Sequence, residues 1–207
     1  MFVNNLMLSR EKLITVTPKD TVKKALDLIQ KHNFLSIPVA EGGKFYGAIS
    51  KERIYTFYFE KDLDKQSLLS EFSVEDVMRE DVPKIDPMNQ VEEAANFLAT
   101  ENTPFVAVIS TINNEFQGII THNAVFKQFT EMFGLYRGKR ISVIAHDVPN
   151  QIAKLSKIVA DSEADVISFV VVDPKSVTDV KEIVARVRTD NFEQIIEKLK
   201  NEGFRVN

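Results

Sequence analysis

LITVTPKDTVKKALDLI, residues 13–29, is matched at a constant offset of 69 by VPKIDPMNQVEEAANFL, residues 82–98. Pro18 falls on Pro87, Asp20 on Asn89, Val22 on Val91 and Ala25 on Ala94. A self-match at fixed spacing is weighed before any fold assignment, because it means that one supersecondary unit has been built twice. Each copy begins with a short extended run, turns at proline and enters an amphipathic helix. The cap is expected at Asp20 or Asn89, and the buried face of the first helix at Val22, Ala25, Leu26 and Ile29.

The match continues past the helix. FLSIPVA (34–40) aligns with TPFVAVI (103–109), and after a loop two residues longer in the second copy, KFYGAISKERIY (44–55) aligns with EFQGIITHNAVF (115–126). These runs predict strands over 35–40 and 45–50, and over 105–110 and 116–121, with turns at Gly42-Gly43 and Asn113-Asn114. Each second strand leads into a closing helix. A β-α-β-β-α unit of this size leaves apolar sheet uncovered, so two copies packed together are the economical solution. Repeat 1 is assigned to residues 1–70 and repeat 2 to residues 71–136.

The remaining chain has a different rhythm. Strands are expected over 140–145, 165–172 and 181–187, helices over 150–161 and 192–201, and a last short strand runs to Val206. This β-α-β-β-α-β order builds an antiparallel sheet with both helices on one face, the ferredoxin-like arrangement. The overall class is therefore α+β, with a third domain over residues 139–207. Gly134 and Gly138 are read as the hinge before it.

Composition removes several functions. No apolar run approaches the roughly 20 residues of a membrane span, and MFVNNLMLSREK (1–12) lacks the basic-then-apolar order of a signal peptide. A soluble, cytoplasmic protein without a membrane partner is expected. The chain has no cysteine, and its three histidines, His32, His122 and His146, are too far apart for a local ligand motif, so no metal is expected. Net charge is -4, residues 139–207 hold eleven basic and eleven acidic side chains, and tryptophan is absent, so nucleic-acid binding is not expected either. Nothing in the pattern supplies a nucleophile with its base, a carboxylate pair or a complete phosphate loop, which argues against an enzyme.

The repeats, with Gly-apolar-apolar-Ser/Thr at residues 47–50 and 118–121, resemble a tandem cystathionine-β-synthase (CBS) domain pair. The resemblance implies regulatory binding of adenine nucleotides in clefts between the repeats, and assembly as a flat homodimer. HDVPNQIAKLSKIVADSEADV (146–166) resembles the first loop and helix of an ACT domain, a small-ligand regulatory module. In that family the loop over 147–150 commonly holds an amino acid. Glycine is usual where Asn150 stands here, so a dimerising or transmitting role is favoured over amino-acid sensing.

The candidate ligand-binding residues follow from both lines of reasoning. Gly47 and Gly118 let a ligand or another backbone come close, while Ser50 and Thr121 can donate to a phosphate near a helix N-terminus. They are equally good N-caps. The entering strands contribute Thr15, Val16 and Thr17 in one repeat, and Lys84 and Ile85 in the other. Leu35, Ser36 and Ile37, with Thr103, Pro104 and Phe105, would flank an adenine. Core packing is the competing role for the apolar members. His122, with no companion nucleophile, is expected as a hydrogen-bonding wall and not as an acid-base group.

CBS proteins that bind AMP or ATP usually carry an aspartate three residues after the Ser/Thr, where it holds the ribose hydroxyls. That position is Arg53 in the first copy and Ala124 in the second. Arginine suits phosphate, because its fixed fork pairs with two oxygens; the other role open to Arg53 is that of an exposed helix residue. Cyclic di-AMP has its 3'-hydroxyls tied up in phosphodiesters and needs no diol clamp. Receptors for it occur among CBS proteins of Gram-positive bacteria, so the resemblance makes it the favoured ligand, with AMP, ATP or S-adenosylmethionine as alternatives. The last three would fit an accessory regulator of the acetoin-utilisation type. A structural dimer without ligand is the third reading, and a regulated partner protein is expected in the first two.

Overall fold

The computed structural model describes residues 1–62, 64–146, 150–173 and 180–207 of the 207-residue chain. Contacts divide it into two units, Met1–Phe126 and Lys127–Asn207.

In the first unit, a two-residue strand, β1 (Leu8–Ser9), lies near the start of the first repeat. Helix α1 (Val22–His32) buries Val22, Ala25 and Ile29, the i, i+3, i+7 stripe read from the sequence. It ends at Asn33, which takes a left-handed conformation with φ 54°. The cap is Thr21, whose hydroxyl accepts from the Lys24 amide at 3.2 Å, and not Asp20. The Asp20 carboxylate lies one residue outside the helix and accepts instead from the Thr17 amide at 2.8 Å and Lys24 Nζ at 2.7 Å. The second repeat shifts likewise: Gln90, not Asn89, forms the capping box with Glu93.

Strands β2 (Ser36–Glu41) and β3 (Lys44–Ser50) form an antiparallel hairpin that runs into α2 (Lys51–Glu60). Two helices unanticipated in the sequence, α3 (Lys65–Glu71) and α4 (Val74–Val77), carry the chain to the second repeat. There β4 (Lys84–Ile85), α5 (Val91–Thr100), β5 (Phe105–Ile109), β6 (Phe116–Thr121) and α6 (His122–Met132) repeat the order.

The sheets reveal an exchange between the repeats. One sheet has the order β1-β6-β5-β4, so a strand from the start of repeat 1 completes the sheet of repeat 2. The β2-β3 hairpin has the matching neighbours as single bridges, Val16 parallel to Val39 and Arg79 antiparallel to Ala48. The opening segment of repeat 2 thus completes the sheet of repeat 1. Gly47 and Gly118 explain themselves here: an added Cβ would lie 2.1 Å from the Arg79 carbonyl oxygen at one and 2.2 Å from that of Leu8 at the other. The close neighbour at both glycines is therefore backbone.

Clusters of buried apolar side chains stabilise this unit. Val16, Val22, Ala25, Ile29, Ile37, Val39 and Ile49 pack with Leu68, Val74 and Val77 from the crossing segment. A second core joins the repeats, with Phe45 and Ala48 against Phe105, Ala107, Phe116 and Ile119. Phe45 and Phe116 are equivalent positions, and their rings stack with centroids 5.0 Å apart. At about 1.5–3 kcal/mol for each large side chain removed from water, this shared core opposes separation of the repeats.

The second unit follows the expected β-α-β-β-α-β order: β7 (Lys139–His146), α7 (Gln151–Ala160), β8 (Asp165–Val172), β9 (Val180–Arg188), α8 (Phe192–Asn201) and β10 (Arg205–Val206). Its antiparallel sheet has the order β10-β7-β9-β8. Leu155, Val159, Ile195 and Leu199 of the two helices pack on Ile141, Val143, Ile183, Ala185 and Val187 of the sheet. Asp147, Val148 and Pro149 of the proposed ACT loop lie outside the described residues; Asn150 has a left-handed backbone, φ 73°.

Gly134 and Gly138 are not a free hinge. A Cβ on Gly134 would lie 2.7 Å from Ile167, and one on Gly138 would lie 2.3 Å from the Val187 carbonyl oxygen. Both glycines are packed into the second unit, and the division by contacts falls earlier, inside α6.

Candidate functional site

The two hydroxyl edges are equivalent in register as well as in sequence. Ser36 stands directly opposite Ser50, and Phe105 opposite Thr121. Both hydroxyls are N-caps, Ser50 Oγ accepting from the Arg53 amide at 3.0 Å and Thr121 Oγ1 from the Ala124 amide at 3.2 Å. Each cap uses an acceptor lone pair and leaves the hydroxyl proton free to donate to an anion. Capping and ligand contact are therefore compatible.

Arg53 lies in the first turn of α2 with its side chain exposed. Its Nε donates to the Val77 carbonyl, the last of α4, at 3.2 Å. Nη1 and Nη2 have no partner among the described residues. At the other edge, the exposed His122 donates through Nε2 to the Leu98 carbonyl of α5 at 3.2 Å. A carbonyl oxygen can only accept, so this contact requires a proton on Nε2.

The register separates the other candidates from these edges. Val16 pairs in parallel with Val39, and Lys84 and Ile85 with Ala107 and Val108. The entering strands therefore run towards the far end of β2 and β5, carrying Thr15, Val16, Thr17, Lys84 and Ile85 away from Ser50 and Thr121. Val16 and Ile37 are 1% exposed, and Ile85 and Phe105 are also buried; the side chains of all four belong to the interior. Gly47 and Gly118 are covered by backbone. Lys84 is exposed, so a lysine beside a buried strand position is accounted for by its reach to solvent.

Leu35, by contrast, is 87% exposed, immediately before Ser36, and its carbonyl accepts from the Lys51 amide at 3.4 Å. An exposed apolar side chain thus stands immediately before β2, where its backbone meets the first residue of α2. In the second copy Pro104 occupies the same place, and Thr103 is buried with its hydroxyl donating to the Phe105 carbonyl at 2.7 Å.

Sequence reasoning missed the crossing segment as part of the first site. Val77 meets Arg53, and Arg79 is bonded through its backbone to Ala48, while its guanidinium reaches Asp81 at 2.8 Å and the Asn102 carbonyl. The only sequence signal was Gly47 itself, whose lack of a side chain called for a backbone neighbour without naming it.

Carboxylates at the turns are held ionised. The amides of Thr111 and Met88, with the Thr111 hydroxyl, keep Asp86 below its ordinary range. The Ser73 hydroxyl and amide do the same for Asp76. Burial opposes ionisation of Asp20, but the Lys24 ammonium and the Thr17 amide outweigh it. Among the described residues no cluster of acidic or histidine side chains is arranged to hold a metal, and no helix is long and apolar enough to cross a membrane. Surface depressions of about 300 and 170 Å³ lie on the outer face of α1 and beside β1; neither includes Ser50, Arg53, Thr121 or His122.

Residues 3–60 and 74–131, together more than half of the chain, match the CBS domain. The chain belongs to the CBS-domain family. The two CBS matches coincide with the repeats, each ending in the helix that the Ser/Thr caps. CbpB from Listeria monocytogenes, solved in complex with c-di-AMP, is 30% identical with a TM-score of 0.54, covering 62% of this chain and 94% of that one. CBSX2, solved in complex with AMP, shares the fold at 23% identity and a TM-score of 0.53, covering 62% of this chain and 95% of that one. Inosine-5'-monophosphate dehydrogenase of Korarchaeum cryptofilum is 28% identical over 121 residues, 58% of this chain, and the chain spans only 23% of that enzyme's length.

Proposed function

We propose that the CBS pair is a regulatory sensor of an adenine nucleotide, with cyclic di-AMP as its preferred ligand. The observation that carries this reading is Arg53. Its exposed guanidinium lies in the helical turn capped by Ser50, where nucleotide-diol binders have a carboxylate, and two of its nitrogens are free of partners among the described residues. A guanidinium pairs with phosphodiester oxygens and gives nothing to a ribose diol. The adjacent Leu35 supplies apolar area for a base. The likeness to a c-di-AMP-bound CbpB at 30% identity supports the same choice.

The ligand-contact set is proposed as Ser36, Ser50 and Arg53 with Leu35 at one edge, and Thr121 and His122 with Pro104 at the other. Signalling would work by population shift in a cytoplasmic homodimer, the ligand favouring one arrangement through its differential affinity. The C-terminal unit is proposed to be ACT-like and to serve in dimerisation or transmission towards a regulated protein. AMP is the second reading, favoured by the AMP complex of a protein with this fold.

Isothermal titration of cyclic di-AMP, AMP, ATP and S-adenosylmethionine distinguishes these readings. Binding of cyclic di-AMP in preference to AMP is expected. Binding of AMP without cyclic di-AMP overturns the ligand choice, and no binding by any of the four leaves the structural dimer.

A further inference from the structure

The segment that crosses between the repeats is fastened to the first repeat at both ends. Near its start, the amides of Val74 and Glu75 donate to the carbonyls of Asp20 and Pro18 at 2.8 and 3.0 Å, and Lys19 pairs with Glu75. At its far end Arg79 and Ala48 exchange backbone bonds of 2.8 and 2.9 Å. Between these anchors lies the short helix α4, only four residues long, whose last carbonyl, that of Val77, is met by Arg53 Nε. A helix this short has little stability of its own. Its C-terminal carbonyl carries partial negative charge, which a cation stabilises.

We infer that Arg53 couples the occupancy of the Ser50 edge to the order of the crossing segment. One guanidinium has two jobs at different atoms. Nε is held by the Val77 carbonyl, which fixes the plane of the group, and the Nη1 and Nη2 end stays free for an anion. An anion that engages that end restrains the plane further and so steadies the Val77 carbonyl, α4 and the Met78 and Arg79 amides that follow. Those amides donate to Val74 and Ala48. Lysine cannot replace arginine here, since a single ammonium has no rigid fork to transmit orientation from one partner to the other. The signal would reach the second repeat directly, because the same stretch of chain leads into β4 and Arg79 also holds the Asn102 carbonyl.

The ligand-dependent part rests on the proposed nucleotide reading, so the test has two independent arms. Hydrogen–deuterium exchange of the full chain is read at the Met78 and Arg79 amides, with the Val143 amide of β7 as internal reference, in wild type, Arg53→Ala and Arg53→Lys. Without ligand, Arg53→Ala is expected to speed exchange at both amides roughly tenfold, the effect of losing one hydrogen bond to a charged donor. With saturating cyclic di-AMP, wild type slows at these amides, while Arg53→Lys, brought to saturation at higher concentration, does not. Unchanged exchange in ligand-free Arg53→Ala overturns the inference whether or not the nucleotide binds. Binding of cyclic di-AMP to wild type with no slowing at Met78 and Arg79 overturns the coupling and leaves the nucleotide reading intact. Failure of cyclic di-AMP to bind overturns the nucleotide reading, and the ligand-free arm still decides the tie.

Discussion

Phe45 and Phe116, equivalent residues of the two repeats, stack with ring centroids 5.0 Å apart and an angle of 29° between the rings. Phe105 adds an edge contact to Phe45 with centroids 6.3 Å apart. Phe116 is 1% exposed, so truncation to alanine leaves a cavity in a core that both repeats share. Phe116→Ala is expected to cost about 3–5 kcal/mol. Urea unfolding measures it, and a loss below 1 kcal/mol would show that the shared core does not hold the repeats together.

Gly118→Ala tests the close approach of β1. The new Cβ would lie 2.2 Å from the Leu8 carbonyl oxygen, a contact no side chain can make, so β1 must move away from β6. A destabilisation of about 1–3 kcal/mol is expected, with faster proteolysis within residues 1–12. An unchanged unfolding midpoint together with unchanged proteolysis would count against this role.

The sequence made the repeat legible because helix and strand periods are local properties, and the paired Val22, Ala25 and Val91, Ala94 stripes survive in both copies. It also located the hydroxyl edges, since Ser50 and Thr121 sit at junctions that chain order alone defines. The entering strands were harder. Parallel pairing of Val16 with Val39 is a long-range register, and only that register reveals that Thr15 and Lys84 are carried away from the edges. The exchange of β1 and Arg79 between repeats leaves no periodic trace at all, because each partner contributes only one or two residues. Helix α3 was missed for a related reason: its apolar content, chiefly Leu68 and Leu69, is too brief to display a period.

Arg53 decides between ligands. If its fork contacts a phosphate, Arg53→Ala should weaken cyclic di-AMP binding by about 1.5–3 kcal/mol. Arg53→Asp should weaken it further and raise affinity for AMP, by supplying the missing diol acceptor. Titration calorimetry of both variants against both nucleotides gives the answer; equal affinities in wild type and Arg53→Ala would remove Arg53 from the site.

Asp86 makes the stability of the second repeat pH-dependent. Its carboxylate accepts from the Thr111 amide and hydroxyl, both at 2.7 Å, and from the Met88 amide at 2.8 Å, and these bonds lower its pKa. A depressed folded pKa means that ionised Asp86 stabilises the fold fully above the ordinary value of 3.8. The contribution fades as pH falls below that value and through the folded one. Melting temperatures of wild type and Asp86→Ala should therefore differ at pH 7 and converge in acid. A difference that persists undiminished below pH 3, roughly one unit under an unperturbed aspartate, would contradict the assignment.

The borrowed outer segments have a consequence for any single repeat on its own. Cut between the repeats, each half keeps a segment suited to the other half's sheet and lacks the one suited to its own, so it presents an open edge and an unused strand together. Two such halves satisfy one another, which makes the intact pair the covalent form of a domain-swapped dimer. Joining them in one chain turns a second-order encounter into an internal one at millimolar effective concentration. Duplication of an ancestral half would thus have made assembly independent of how much protein the cell contained.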